Sequence, residues 1–282
     1  MGFFDSLIKS AGRTIGREAG KKAVNAVVDM IDGDDNKKKK SASSRKSTSA
    51  EKKKTEEKKT ERVSDNVSAA SPMARAMSQV NSEYDTTPDT PVPFVGFNGW
   101  LCIKDATPQE VIRVLGLRNS QVANWESGIK AADSGFMEKV FVSPLINGCV
   151  LVIGYIPFGV KDSVDEELKI LEKFADKFSE MTCYATQKTV DIHVWAKFVN
   201  GKLKRGYGWL GESGEIYLNK GNLTPEEHKL GFAKLITDPD CDWETVEMPD
   251  MEHVFAIAKE WSISPDFSDV NVSESTGFVC EI

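Results

Sequence analysis

The sequence predicts an α+β fold, a mainly antiparallel sheet with flanking helices, preceded by an isolated amphipathic helix and a disordered linker. Three observations point there. Two Asn-Gly dipeptides, Asn147-Gly148 and Asn200-Gly201, each separate two apolar runs, the pattern of tight hairpin turns between antiparallel strands. Two Thr-Pro-x-Glu motifs, Thr107 to Glu110 and Thr224 to Glu227, are helix-opening capping boxes with Pro at the first helical position. Composition also changes sharply near Pro93, where a polar, Lys-rich tract gives way to alternating apolar segments.

Taken in order, the first element is the segment 3–31. Phe4, Leu7, Ile8, Ala11, Ile15, Ala19, Ala23, Ala26, Val27 and Met30 recur at helical spacing, with Lys9, Arg13, Arg17 and Lys21 on a neighbouring face. Gly12, Gly16 and Gly20 form a small-x-x-x-small ridge, and each glycine costs about 1 kcal/mol of helix propensity, so close approach of another helix is the natural reason for three. The charges are interleaved rather than grouped ahead of an apolar stretch, so the segment does not read as a secretory signal. Three roles fit it. It can lie in an anionic lipid interface with Phe3, Phe4, Leu7 and Ile8 inserted, self-associate into a homo-oligomer or dock on a partner through the ridge, or pack on its own domain.

Residues 1–32 are thus assigned to the amphipathic helix, 33–92 to a disordered Lys/Ser/Thr-rich linker, and 93–282 to the globular domain. The linker holds almost no large apolar residue and cannot form a core. Its lysines are suited to anionic lipid, with ~1 kcal/mol per basic residue close to the surface. Residues 1–95 carry 18 Lys+Arg against 14 Asp+Glu, and residues 96–282 carry 18 against 29. A domain this acidic repels phosphate backbones, which argues against specific nucleic-acid binding.

Within the domain, GWLCIKD reads as a strand, followed by the helix that opens at Thr107. A short segment around Asn124 to Gly128 precedes the hairpin of KVFVSPLI and CVLVIGYI. Val164 to Phe178 has helical periodicity, then come the strands MTCYATQ, TVDIHVWAKF and KLKRGYGWL, the short strand EIYLN, the helix opened at Thr224, and a last helix near Met251 to Glu260.

Period-two alternation in TVDIHVWAKF places Asp191, His193, Trp195 and Lys197 on one face and Ile192, Val194, Ala196 and Phe198 on a core face. Pairing through Asn200-Gly201 sets Arg205, Tyr207 and Trp209 beside them, with Glu212 just beyond. Aromatic residues with Arg are typical binding anchors, so the reading is a face for a protein partner. The alternatives are a half-buried structural sheet, or a hydrolase-like site with His193 as general base oriented by Asp191 or Glu212 and Arg205 as an anion clamp.

The remaining chemistry is negative. Cys102, Cys149, Cys183, Cys241 and Cys280 form no C-x-x-C pair, and His193, His228 and His253 lack metal-ligand spacing, so no metal site is expected. Asp238-Pro239-Asp240-Cys241-Asp242 imitates a calcium loop, but Trp243 stands where the turn glycine is required. The nucleotide-binding and hydrolase signatures are missing, so no cofactor is expected. No apolar run approaches ~18 residues, and unpaired cysteines fit a reducing cytoplasm.

From Trp100 onward the chain resembles a diffuse family of uncharacterised bacterial proteins. The resemblance runs through Asn124-Trp125, Phe141-Val142 with Pro144, Leu151-Val152 with Gly154, His193 with Trp195, Gly201, Arg205, Gly211-Glu212, Thr224-Pro225 with Glu227, and Trp261-Ser262-Ile263 with Pro265. It implies a single-domain cytosolic protein, and small acidic α+β proteins of this kind are similar to immunity proteins that neutralise toxins. The expected function is a non-enzymatic, immunity- or inhibitor-like protein-binding domain tethered to the inner membrane surface or to an oligomer, with a structural membrane-associated adaptor as a further alternative.

Overall fold

Asn147 and Gly148 both take positive φ, 48° and 76°, as do Asn200 and Gly201, 49° and 74°. That is the backbone of a two-residue turn whose twist matches the strands it joins. These two hairpins organise the sheet in the computed structural model, which describes residues 83–282 except 98, 162, 239 and 243. The strands are β1 (Gly99–Lys104), β2 (Arg118–Asn124), β3 (Lys139–Val142), β4 (Cys149–Ile153), β5 (Glu180–Gln187), β6 (Ile192–Val199), β7 (Lys202–Leu210), β8 (Glu215–Lys220) and β9 (Thr276–Glu281). They form one nine-stranded sheet in the order β2-β9-β3-β4-β1-β5-β6-β7-β8. Every neighbouring pair is antiparallel.

The helices are α1 (Pro108–Val114), α2 (Trp125–Ser134), α3 (Val164–Ala175), α4 (Pro225–Lys229) and α5 (Met251–Trp261). The capping boxes at Thr107 and Thr224 open α1 and α4 as their spacing requires. Two apolar layers sandwich the sheet. On one face Leu101, Ile103, Val140, Val152, Val194, Ala196 and Phe198 pack under Val111 of α1, Leu115 at its C-cap, and Leu168, Leu171 and Phe174 of α3. On the other, Trp100, Phe141, Leu151, Ile153, Tyr184, Trp195 and Tyr207 pack under Trp125 and Ile129 of α2 and Val254, Ile257, Ala258 and Trp261 of α5. Central strands covered on both sides explain why β1 and β4 read as continuous apolar runs rather than alternating ones.

Several expectations change. The stretch around Asn124 is the end of a strand and the start of a ten-residue helix, β2 and α2. β9, left without assignment in the sequence, inserts between β2 and β3. The N-terminal amphipathic helix, with Phe3, Phe4, Leu7, Ile8, Gly12, Gly16 and Gly20, lies outside the described residues.

The boundary at 92/93 also moves. Residues 83–92, assigned to the linker, lie against the domain: the Asp85 carbonyl accepts from Asn124 N, and Asp89 pairs with Ser275 as an isolated bridge. The Asp89 carboxylate accepts from Trp125 N at 2.6 Å and Glu126 N at 3.0 Å, two amides that α2 cannot satisfy internally. Asp89→Ala is therefore expected to cost about 1–2 kcal/mol, and a fragment starting at Pro93 should melt below one starting at Glu83. Equal midpoints for the two fragments would show that the segment adds nothing.

Candidate functional site

β6 and β7 bring the sequence-predicted residues together in the expected register. His193 faces Trp209, Trp195 faces Tyr207 and Lys197 faces Arg205. The face they form is not wet. Phe232, Leu235 and Ile236, from the turn after α4, lie in the same apolar layer, as do the buried residues of α5. His193 and Arg205 are each 2 % exposed, and Trp195, Tyr207 and Trp209 are buried with them. The reading of these five side chains as an exposed binding face is thereby corrected. The polar half of an alternating strand faces water only where nothing covers it, and here α5 supplies a second apolar layer. Glu212 is exposed, in the turn between β7 and β8.

Four of the aromatic residues form two stacked pairs. Trp100 stacks on Tyr184 with centroids 5.0 Å apart, and Trp195 on Tyr207 at 4.6 Å. The two tyrosine hydroxyls find partners on neighbouring elements: Tyr184 Oη lies 2.9 Å from Ser262 Oγ, and the Tyr207 hydroxyl donates to the Ile236 carbonyl at 2.7 Å.

Arg205 forms a buried ion pair with Glu227, whose exposure is 0 %. Its Nε lies 2.9 and 3.1 Å from the two carboxylate oxygens, and Trp195 Nε1 donates to the same carboxylate at 2.9 Å. The far side of the guanidinium donates to Asn219 Oδ1 and the Gly206 carbonyl. Glu227 is also the third residue of α4 and accepts from Thr224 N at 2.8 Å, so one carboxylate closes the capping box and ties α4 to the sheet. Sequence reasoning assigned Glu227 only its capping role, because no local signal announces a partner 22 residues away.

His193 sits between Thr186 Oγ1, 3.0 Å from Nδ1, and Asp191 Oδ1, 3.1 Å from Nε2. Burial holds its pKa below the ordinary imidazole value, against the pull of the Asp191 charge. A neutral ring donating to Asp191 and accepting from Thr186 satisfies both nitrogens, so the imidazole is a structural bridge between β5 and the end of β6. Arg205, the proposed anion clamp, is committed to Glu227, and no hydrogen bond links Glu212 to His193 among the described residues.

A second buried carboxyl escaped the sequence reading. Glu167 of α3 accepts from Val160 N at 2.7 Å, from Lys161 N at 2.9 Å and from the Tyr217 hydroxyl of β8. Burial pushes its pKa up to about 7. Among the described residues no group of three or more His, Cys, Asp or Glu is arranged to hold a metal ion, and no helix is long and apolar enough to cross a membrane.

Fold and site together define an antiparallel α+β domain whose conspicuous polar side chains serve its own core. Comparison with protein-family models, curated proteins and solved structures returns no match.

Proposed function

We propose that this chain is a non-enzymatic protein-binding protein of the immunity or inhibitor kind, held at an anionic membrane surface by its N-terminal helix and basic linker. The observation that carries the reading is the separation of charge along the chain. Residues 83–282 hold 18 Lys+Arg against 32 Asp+Glu, while residues 1–82 hold 18 against 11. An acidic, folded body favours encounter with a basic protein surface, and a basic, amphipathic leader favours anionic headgroups. The internal engagement of Arg205 and His193 takes both side chains away from the hydrolase-like alternative that relied on them.

Enrichment from the native cell followed by reconstitution from two purified components tests the binding part. A stoichiometric complex that needs only residues 83–282 is expected, and a domain that forms none removes the reading. For the anchoring part, the intact chain is expected to co-sediment with anionic but not neutral vesicles at low salt. Insertion of Phe3, Phe4, Leu7 and Ile8 offers a few kcal/mol at ~25 cal/mol per Å² of apolar surface. A chain starting at Glu83 and a Phe3→Asp/Leu7→Asp variant should both stay in the supernatant. An intact chain that ignores all vesicles yet runs larger than the truncated one would instead assign the glycine ridge to self-association.

A further inference from the structure

The last turn of α2 carries the wrong charge. Near the C-terminus of a helix the unsatisfied carbonyls favour a cation, and the other four α-helices among the described residues supply one: Arg113, Lys173, His228 with Lys229, and Lys259. α2 has no basic residue there and places Asp133 in that turn instead. Asp133 is exposed and, among the described residues, no cation pairs with it. Lys139, which follows the helix, is held by Glu83 at 3.2 Å and Tyr84 at 2.8 Å.

Asp133 lies on a small cleft at the end of β1 and β4, lined with it by Phe97, Phe136, Ala132, Gly154 and Ile156. The cleft has room of about 30 Å³, enough for the head of one side chain and too little for a drug-sized molecule. The Phe97 side of its wall is fixed in place. Phe97 N donates to the Phe94 carbonyl in a tight turn, and the Phe94 ring is wedged edge-on against Phe97, Trp100 and Phe267. Gly154 keeps the floor open, since a Cβ there would sit 3.4 Å from Ala132 Cβ and 3.6 Å from the Phe97 ring. Two aromatic rings, an unpaired carboxylate and the negative end of a helix dipole converge on one cleft.

We propose that this cleft is the subsite for a cationic side chain, arginine or lysine, presented by the protein partner of the acidic domain. The inference rests on the protein-binding reading and specifies what the partner brings: a basic residue whose charge meets Asp133 and the α2 terminus while its alkyl stem lies between Phe97 and Phe136.

The test uses the intact chain and defined probes, N-acetyl-arginine methylamide and N-acetyl-lysine methylamide, with the neutral isostere N-acetyl-citrulline methylamide as control, followed by NMR. The two cationic probes are expected to shift resonances of Phe97, Phe136 and Gly154 with millimolar affinity, and citrulline to leave them in place. Asp133→Asn, at an exposed position that leaves the fold intact, should weaken the arginine probe by at least about fivefold. Phe97→Ala, with its melting midpoint checked, should weaken it independently. Equal shifts from arginine and citrulline, or none from either cation up to the solubility limit, overturn the proposal. The two readings fail separately: a reconstituted partner complex that forms equally well with Asp133→Asn discards the subsite and leaves protein binding standing, whereas no complex with the unaltered domain discards both.

Discussion

Arg205→Ala is expected to destabilise the domain by about 3–5 kcal/mol, because it leaves the Glu227 carboxylate buried and without its counter-ion. For a domain of this size that corresponds to a fall of about 10 °C in the melting midpoint. The mechanism is specific. Glu227 would keep its bonds from Trp195 Nε1 and Thr224 N but lose the charge that offsets its desolvation. Arg205→Lys, which retains the charge and loses the fork, should fall between the unaltered protein and Arg205→Ala, since an ammonium cannot reach Glu227 and Asn219 together with the same geometry. Glu227→Ala should match Arg205→Ala, and combining the two should cost much less than their sum, the signature of a coupled pair. The measurement is urea or thermal unfolding of the four variants. An Arg205→Ala protein with an unchanged midpoint would mean that the guanidinium sits on a wet face and that the ion pair is not formed.

The same residue shows where sequence reading succeeded and where it stopped. The local grammar was legible: Asn-Gly turns need two positive φ angles, and Thr-Pro-x-Glu satisfies orphan amides within four residues, so β3–β4, β6–β7, α1 and α4 follow from short-range rules. Register followed too, and His193, Trp195 and Lys197 do meet Trp209, Tyr207 and Arg205. Burial was not legible, because it depends on α5, which lies far from Trp195 along the chain and covers a face that looks amphipathic in isolation. β2 was invisible for a related reason. Its sequence RNSQVAN is exposed over five residues and is held as a strand by β9, whose position in the sheet no local pattern encodes. The linker boundary misled because Asp85 and Asp89 are polar residues that act through backbone contacts and helix capping, and composition counts such residues as disorder.

Glu167 should make stability fall as pH rises from about 4.5 to about 7. Its side chain is 1 % exposed, and burial raises its pKa from 4.5 to about 7 despite donation from Val160 N, Lys161 N and the Tyr217 hydroxyl. Across that window the folded state binds a proton that the unfolded state has released, so the slope of stability with pH is negative, and the group's contribution is full below the unfolded value and lost above the folded one. The loss amounts to roughly 3 kcal/mol, because each pH unit between the unfolded and folded pKa values is worth about 1.4 kcal/mol. His193 acts with the opposite sign. Its folded pKa lies below its ordinary value, so acidification protonates the unfolded chain first and lowers stability. The raw pH profile therefore mixes two opposed contributions, and the informative quantity is the difference between the unaltered protein and Glu167→Gln, measured by urea unfolding from about pH 4.5 to about pH 8. Glu167→Gln keeps the shape of the side chain, presents an amide to Val160 N, Lys161 N and Tyr217, and cannot titrate. Relative to that variant, the unaltered protein should lose roughly 3 kcal/mol across the range. Tyr217→Phe removes one donor to the carboxylate and should carry the midpoint of the loss to higher pH. Parallel curves for the unaltered protein and Glu167→Gln would place the Glu167 carboxyl in contact with water and detach it from the loop that precedes α3.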